Sequence, residues 1–215
     1  MAANSEAVQI DLAVEKLGAD GYSVSTGMLP RDLIVSLAAE QRRREDGGEL
    51  VAAGTGRGAG LTVGAAQRQT QSSWLSEGSA AERQYLAFAE RMRLAINRRL
   101  FLGLFEFEAQ FLRYPPGGFY RRHIDALHGE RNRIVSMIAY LNEGWTRDDG
   151  GALSVWAAGG VGEPVEEVVP LAGTVVLMLS EDIPHAAQEA QRERRAIAGW
   201  FRVNPSSTRC VAPAR

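Results

Sequence analysis

From Leu104 to Val203 apolar and polar residues alternate in short runs, and this alternation limits the possible folds more than any other feature. The segment LFEFEAQFLRY alternates with period two, the pattern of a strand buried on one face. RIVSMIAYLN, GGALSVWAA, VEEVVPL, GTVVLML and AIAGWFRV follow it. The breaks between runs are PPGG, DDGG, AAGGVGEP, LAGT and SEDIP, rich in the residues that tight turns require. About six short strands over roughly 100 residues indicate a sandwich or barrel rather than an α/β sheet.

The first hundred residues have a different period. Glu6 to Leu17 places Val8, Leu12 and Leu17 at helical spacing, with Gly18 as the expected C-cap. GYSVSTGML reads as a short strand. Pro30 opens a second helix with Leu33, Ile34, Leu37 and Ala38 on its apolar face. Its arginines at 42–44 are expected in solvent, at the negative end of the helix dipole. Seven glycines fall in the eighteen residues from Gly47 to Gly64. That stretch is either a loose surface loop or a lid that orders over a ligand. Arg68 to Leu75 suggests a strand with Trp74 buried. Ser79 to Leu100 is an amphipathic helix with Tyr85, Phe88, Ala89, Met92, Ile96 and Leu100 on one face. Residues 1–100, including the glycine-rich loop at 47–64, are expected to form a helical and β preface. It should belong to the same compact unit as a β core at 101–205.

Composition excludes several chemistries. A net charge of -2 argues against a nucleic-acid partner. The lone cysteine, Cys210, rules out disulfide frameworks, CxxC pairs and thiolate zinc sites. Lys16 is the one lysine among 24 basic residues, which leaves almost no candidate for Schiff-base or phosphate-loop chemistry. No apolar run approaches the roughly 18 residues of a bilayer span, so no membrane partner is expected. The N-terminus lacks the pattern of a signal peptide. With one cysteine, the chain is expected in the cytoplasm.

All three histidines lie in the β half. His123 and Asp125 form an H-x-D pair within RRHID, and residues i and i+2 of an extended segment face the same side. His185 follows sixty-two residues later, after an apolar strand and Pro184. Two imidazoles and one carboxylate make a facial triad, which leaves coordination positions open as a non-haem Fe(II) oxygenase requires. The competing readings are two surface histidines with a loop aspartate, or a zinc site that also uses His128. Arg194 starts the next strand. If His185 closes one strand, a hairpin return brings Arg194 beside the same cavity, where its guanidinium can clamp a carboxylate bidentately.

These residues sit in FEAQFLRYPPGGFYRRHID, MIAYLNEGW, DGGALSVW, VVLMLSEDIPH and RERRAIAGWF. In that combination the chain resembles the Fe(II)/2-oxoglutarate-dependent dioxygenases of the prolyl 4-hydroxylase type. The branch it most resembles contains the hypoxia-factor prolyl hydroxylases and their bacterial relatives. The resemblance runs from about Arg68 to Val203. It implies a double-stranded β-helix, or jelly roll, mainly β with flanking helices, the N-terminal helices packing on the major sheet. It implies His123, Asp125 and His185 as catalytic iron ligands, with Arg194 and Tyr140 on the distal carboxylate of 2-oxoglutarate. Tyr114 would line the co-substrate side, and Tyr120, Arg133, Trp74 and Arg68 the substrate side. Fe(II), 2-oxoglutarate, dioxygen and an ascorbate activator are the implied cofactors. The implied reaction is hydroxylation of an exposed proline in a protein or peptide, elongation factor Tu among the candidates. It is coupled to decarboxylation of 2-oxoglutarate to succinate, by a monomeric enzyme.

The departures fall near the substrate. The common Glu-Val after the distal histidine is Ala186-Ala187 here. The acid of an R-x-D before the tryptophan is Thr70, which leaves Arg133 without that partner. Jumonji-type enzymes use a lysine clamp, which Lys16 is too remote to supply. The second arginine of AlkB-type demethylases is replaced by Trp200. A hydroxylase of a free amino acid or small molecule, and a non-catalytic jelly-roll sensor, are the remaining alternatives.

Overall fold

The computed structural model describes residues 2–54, 66–125 and 132–203. Helix α1 spans Ala2–Asp20, α2 Arg31–Asp46 and α3 Ala80–Leu100. Helix α3 begins with a capping box. The Ser79 hydroxyl accepts from the Glu82 N–H and the Glu82 carboxylate accepts from the Ser79 N–H, which satisfies two orphan donors.

The buried stripe of α1 is Ile10, Ala13, Val14 and Leu17, whereas Val8 and Leu12 are 55% and 60% exposed. Both stripes obey helical spacing, so the period alone cannot choose between them; contact with α3 does. The helix also runs through Gly18 to Asp20. Gly21, at φ 80°, is the residue that turns the chain, and its N–H reaches the Leu17 carbonyl at 3.0 Å. Gly18 lies where α1 crosses α3, and a Cβ there would sit 2.7 Å from Leu100 Cδ2.

Eleven strands form two antiparallel sheets among the described residues. The larger has seven strands in the order β1 (Tyr22–Ser25), β9 (Val175–Leu179), β6 (Arg133–Tyr140), β11 (Arg194–Arg202), β4 (Glu106–Tyr114), β3 (Gln71–Trp74) and β2 (Val51–Ala52). The smaller runs β5 (Tyr120–His123), β10 (His185–Ala187), β7 (Leu153–Val155) and β8 (Glu166–Val168). The first hundred residues thus supply both edges of the larger sheet as well as the helices. Of the glycine-rich loop, the described part ends at Gly54, with β2 paired to β3. The rest of that loop, His128 and Cys210 lie outside the described residues.

The helices cover one face of the larger sheet. Val14, Leu17, Phe88 and Met92 pack with Phe111, Val135, Ile197 and Phe201. The other face meets the small sheet, where Leu112, Tyr114, Ile138 and Tyr140 pack with Leu153, Val155 and Ala187. Strand β4 is therefore covered on both sides, and Ala109 to Leu112 are buried in succession. The half-buried alternation expected for it fails for that reason. The result is a jelly roll, mainly antiparallel β, with helices on the larger sheet.

Candidate metal and co-substrate site

His123 closes β5 and His185 opens β10, and the two are direct cross-strand partners. Their rings are 4.3 Å apart. His185 does not close a strand as expected. The chain leaves β9, crosses between the sheets and begins a new strand with this residue. Asp125 lies just beyond β5, its N–H bonded to the Ser180 carbonyl at 3.1 Å. Its Oδ1 is 3.5 Å from His123 Nε2 and its Oδ2 is 3.7 Å from His185 Nε2. One donor atom from each residue falls within 4.8 Å of the others.

Each imidazole donates Nδ1–H to a carbonyl two residues earlier, His123 to Arg121 at 2.7 Å and His185 to Ile183 at 3.2 Å. A carbonyl can only accept, so both rings carry their proton on Nδ1 and offer the Nε2 lone pair. Burial, then the His123 ring, push His185 down to about 4. Burial alone would raise Asp125, but the two imidazoles and the Ser136 hydroxyl outweigh it and hold the carboxyl well below the usual carboxylate range. At neutral pH His185 is thus a neutral imidazole and Asp125 a carboxylate, the protonation states that metal ligands need. The residues fit a ferrous ion: nitrogen and carboxylate donors converge, and three ligands leave positions free.

Arg194 opens β11 and is 2% exposed. Its guanidinium carbon lies 4.7 Å from the Tyr114 ring centre and 5.1 Å from that of Tyr140. Its Nη2 reaches the Tyr140 hydroxyl at 3.4 Å, and its Nε has no partner among the described residues. Burial pushes the Tyr140 phenol up to about 12, so it remains a hydrogen-bond donor. The structure thus brings Arg194, Tyr140 and Tyr114 into contact with one another. Sequence reasoning missed Gly151, which packs directly under Arg194. At φ 66°, its missing Cβ would stand 2.9 Å from Ala190 Cβ and 3.1 Å from Arg194 Cδ. The DGG motif marked only a turn, and nothing in it pointed to the arginine.

The four residues expected on the substrate side divide into two groups. Tyr120 stacks on His123 at 3.5 Å and 17°, and Arg68 covers the Tyr120 ring at 4.6 Å while donating to Thr70. Arg133 stands 3.7 Å over the Trp200 ring and bonds Glu108 at 2.9 Å, so Glu108 replaces the acid that position 70 lacks. Trp74 was expected buried. It is 51% exposed and packs against Trp200 at 6.4 Å, because β3 lies near the sheet edge.

The profile of the 2OG-Fe(II) oxygenase superfamily matches residues 109–202. A prolyl-4-hydroxylase of Pseudomonas putida is 43% identical with a TM-score of 0.81, over 90% of this chain and 98% of that one. The chain therefore belongs to the Fe(II)/2-oxoglutarate oxygenases, and within them to the prolyl hydroxylase type. It is an oxidoreductase whose family works with Fe(II), 2-oxoglutarate and dioxygen. A Trichoplax adhaerens prolyl hydroxylase, solved with a fragment of the hypoxia inducible factor oxygen degradation domain, shares the fold. Its TM-score is 0.80 at 21% identity, over 93% of this chain and 91% of that one. SnoK, a carbocyclase of nogalamycin biosynthesis, shares it too, with TM-score 0.68 at 13% identity over 90% and 83%. No protein of curated function matches the sequence.

Proposed function

We propose that this enzyme hydroxylates a prolyl residue of a protein or peptide, in the cytoplasm and as a monomer, with ascorbate as activator. Elongation factor Tu is a candidate target. The observation that carries the reading is the buried Arg194 beside Tyr114 and Tyr140, its Nε without a partner among the described residues, in a chain that also converges His123, Asp125 and His185. The identity to the Pseudomonas putida enzyme supports proline as the target, since SnoK has the same fold with other chemistry.

In this reading His123, Asp125 and His185 hold the iron through Nε2, a carboxylate oxygen and Nε2. Arg194 and the Tyr140 hydroxyl bind the distal carboxylate of 2-oxoglutarate, with Tyr114 as the wall beside it. When bound, iron and 2-oxoglutarate supply dioxygen activation, giving succinate, carbon dioxide and one oxygen atom for a C–H bond. Val176, Met178 and Ile138 line the space between the sheets and keep water out of it. Tyr120, Arg68, Trp74 and Arg133 supply aromatic and cationic groups for a peptide.

The test is incubation with Fe(II), 2-oxoglutarate, ascorbate and proline-containing peptides, including elongation factor Tu loops, followed by mass spectrometry. A product one oxygen heavier on proline is expected. Turnover of 2-oxoglutarate without any hydroxylated proline would overturn the substrate assignment.

A further inference from the structure

Ser136 is the single hydroxyl in the otherwise apolar run IVSMIA at 134–139, and it is 1% exposed. A polar group buried that deeply needs a partner. Its Oγ donates to Asp125 Oδ2 at 2.6 Å and lies 2.8 Å from Ser180 Oγ, also 1% exposed. With the Ser136 proton committed to the carboxylate, Ser180 must be the donor of the second bond. Ser180 also accepts the Asp125 N–H through its carbonyl, and its own N–H reaches the Ile134 carbonyl at 3.0 Å. The stretch after β5 that carries Asp125, strand β6 and the chain leading to His185 therefore meet at Ser180.

We propose that Ser136 and Ser180 are positioning residues that set how Asp125 ligates the metal. With Oδ2 engaged by the Ser136 hydroxyl, Oδ1 is the oxygen left for the ion, and the carboxylate binds through one atom. A two-oxygen grip would occupy a position that co-substrate or dioxygen needs. The Ser180 hydroxyl prevents Ser136 from rotating away. The inference rests on the metal reading of His123, Asp125 and His185 and is independent of the substrate.

The experiment is titration of the full, metal-free chain with Co(II), following the visible absorption of the bound ion, without substrate. Ser136→Ala should weaken binding by roughly ten- to a hundredfold and change the spectrum, as Oδ2 becomes free to coordinate. Ser136→Thr, which keeps the hydroxyl, should restore both. Ser180→Ala should weaken binding a few-fold, and the double alanine variant should be no weaker than Ser136→Ala alone. Parent-like affinity and spectrum in Ser136→Ala would overturn the proposal. If that variant does not fold, parent-like binding by Ser180→Ala overturns it instead. His185→Ala separates the two readings: if it binds Co(II) as the parent does, the metal site itself is wrong.

Discussion

Arg194 and Arg44 are both buried arginines, and they differ in what neutralises them. Arg44 has Glu82 at 2.6 Å and Glu40 at 3.0 Å. Arg194 makes no ion pair among the described residues and leaves its Nε unsatisfied. An unpaired buried charge is strongly destabilising, and a carboxylate bound beside Arg194, as the proposed clamp requires, would remove that cost. Arg194→Lys keeps the charge but loses the planar fork. Losing one charge-assisted hydrogen bond costs about 1.5–3 kcal/mol. The KM for 2-oxoglutarate should therefore rise roughly ten- to a hundredfold, read by initial rates of succinate formation. An unchanged KM would remove Arg194 from the clamp.

At the scale of elements, α2 joins the helical layer to the strands that shape the site. Arg44 was expected at a solvated helix end. It is instead buried and donates to Ser73 Oγ, the Trp74 carbonyl, Ser76 Oγ and both glutamates, with its guanidinium 5.4 Å from the Phe111 ring centre. The arginine run gave no sign of which member turns inward, because a charged run on a helix end is equally at home in water. One turn of α2 decides it: Arg43 faces solvent and Arg44 faces α3. Arg44→Met leaves Glu82 buried without its cation and should destabilise the protein by about 3–5 kcal/mol in urea unfolding. A loss under about 1 kcal/mol would mean the network is a surface pair in solution.

For the whole molecule, acid should act on the metal-free site. His185 is held at about 4 against an ordinary 6.5, so between those values the unfolded chain binds a proton that the folded chain refuses. Stability then rises with pH, and it is lost as pH falls from 6.5 toward 4. This one group contributes at most about 1.4 kcal/mol per pH unit. Urea unfolding with chelator present should show that slope, and His185→Gln should reduce it. An equal slope in both proteins would place the proton uptake elsewhere.

The sequence by itself determined the β-rich fold and named the residues that come together in the candidate site. Each is written in local chemistry: period-two alternation cut by turn residues, H-x-D on one short segment, and an arginine at a strand start. Short-range geometry settles such features, so they survive in any context that folds. Tertiary structure alone decided the rest. It chose Ile10, Val14 and Leu17 over Val8 and Leu12 as the inner face of α1, turned Arg44 inward and Trp74 outward, and covered β4 on both sides. It also set His185 against His123 across two strands, Gly151 under Arg194, and Ser136 and Ser180 behind Asp125. These are contacts between segments tens of residues apart, and their partners are fixed by strand register and layer packing, which no local pattern encodes.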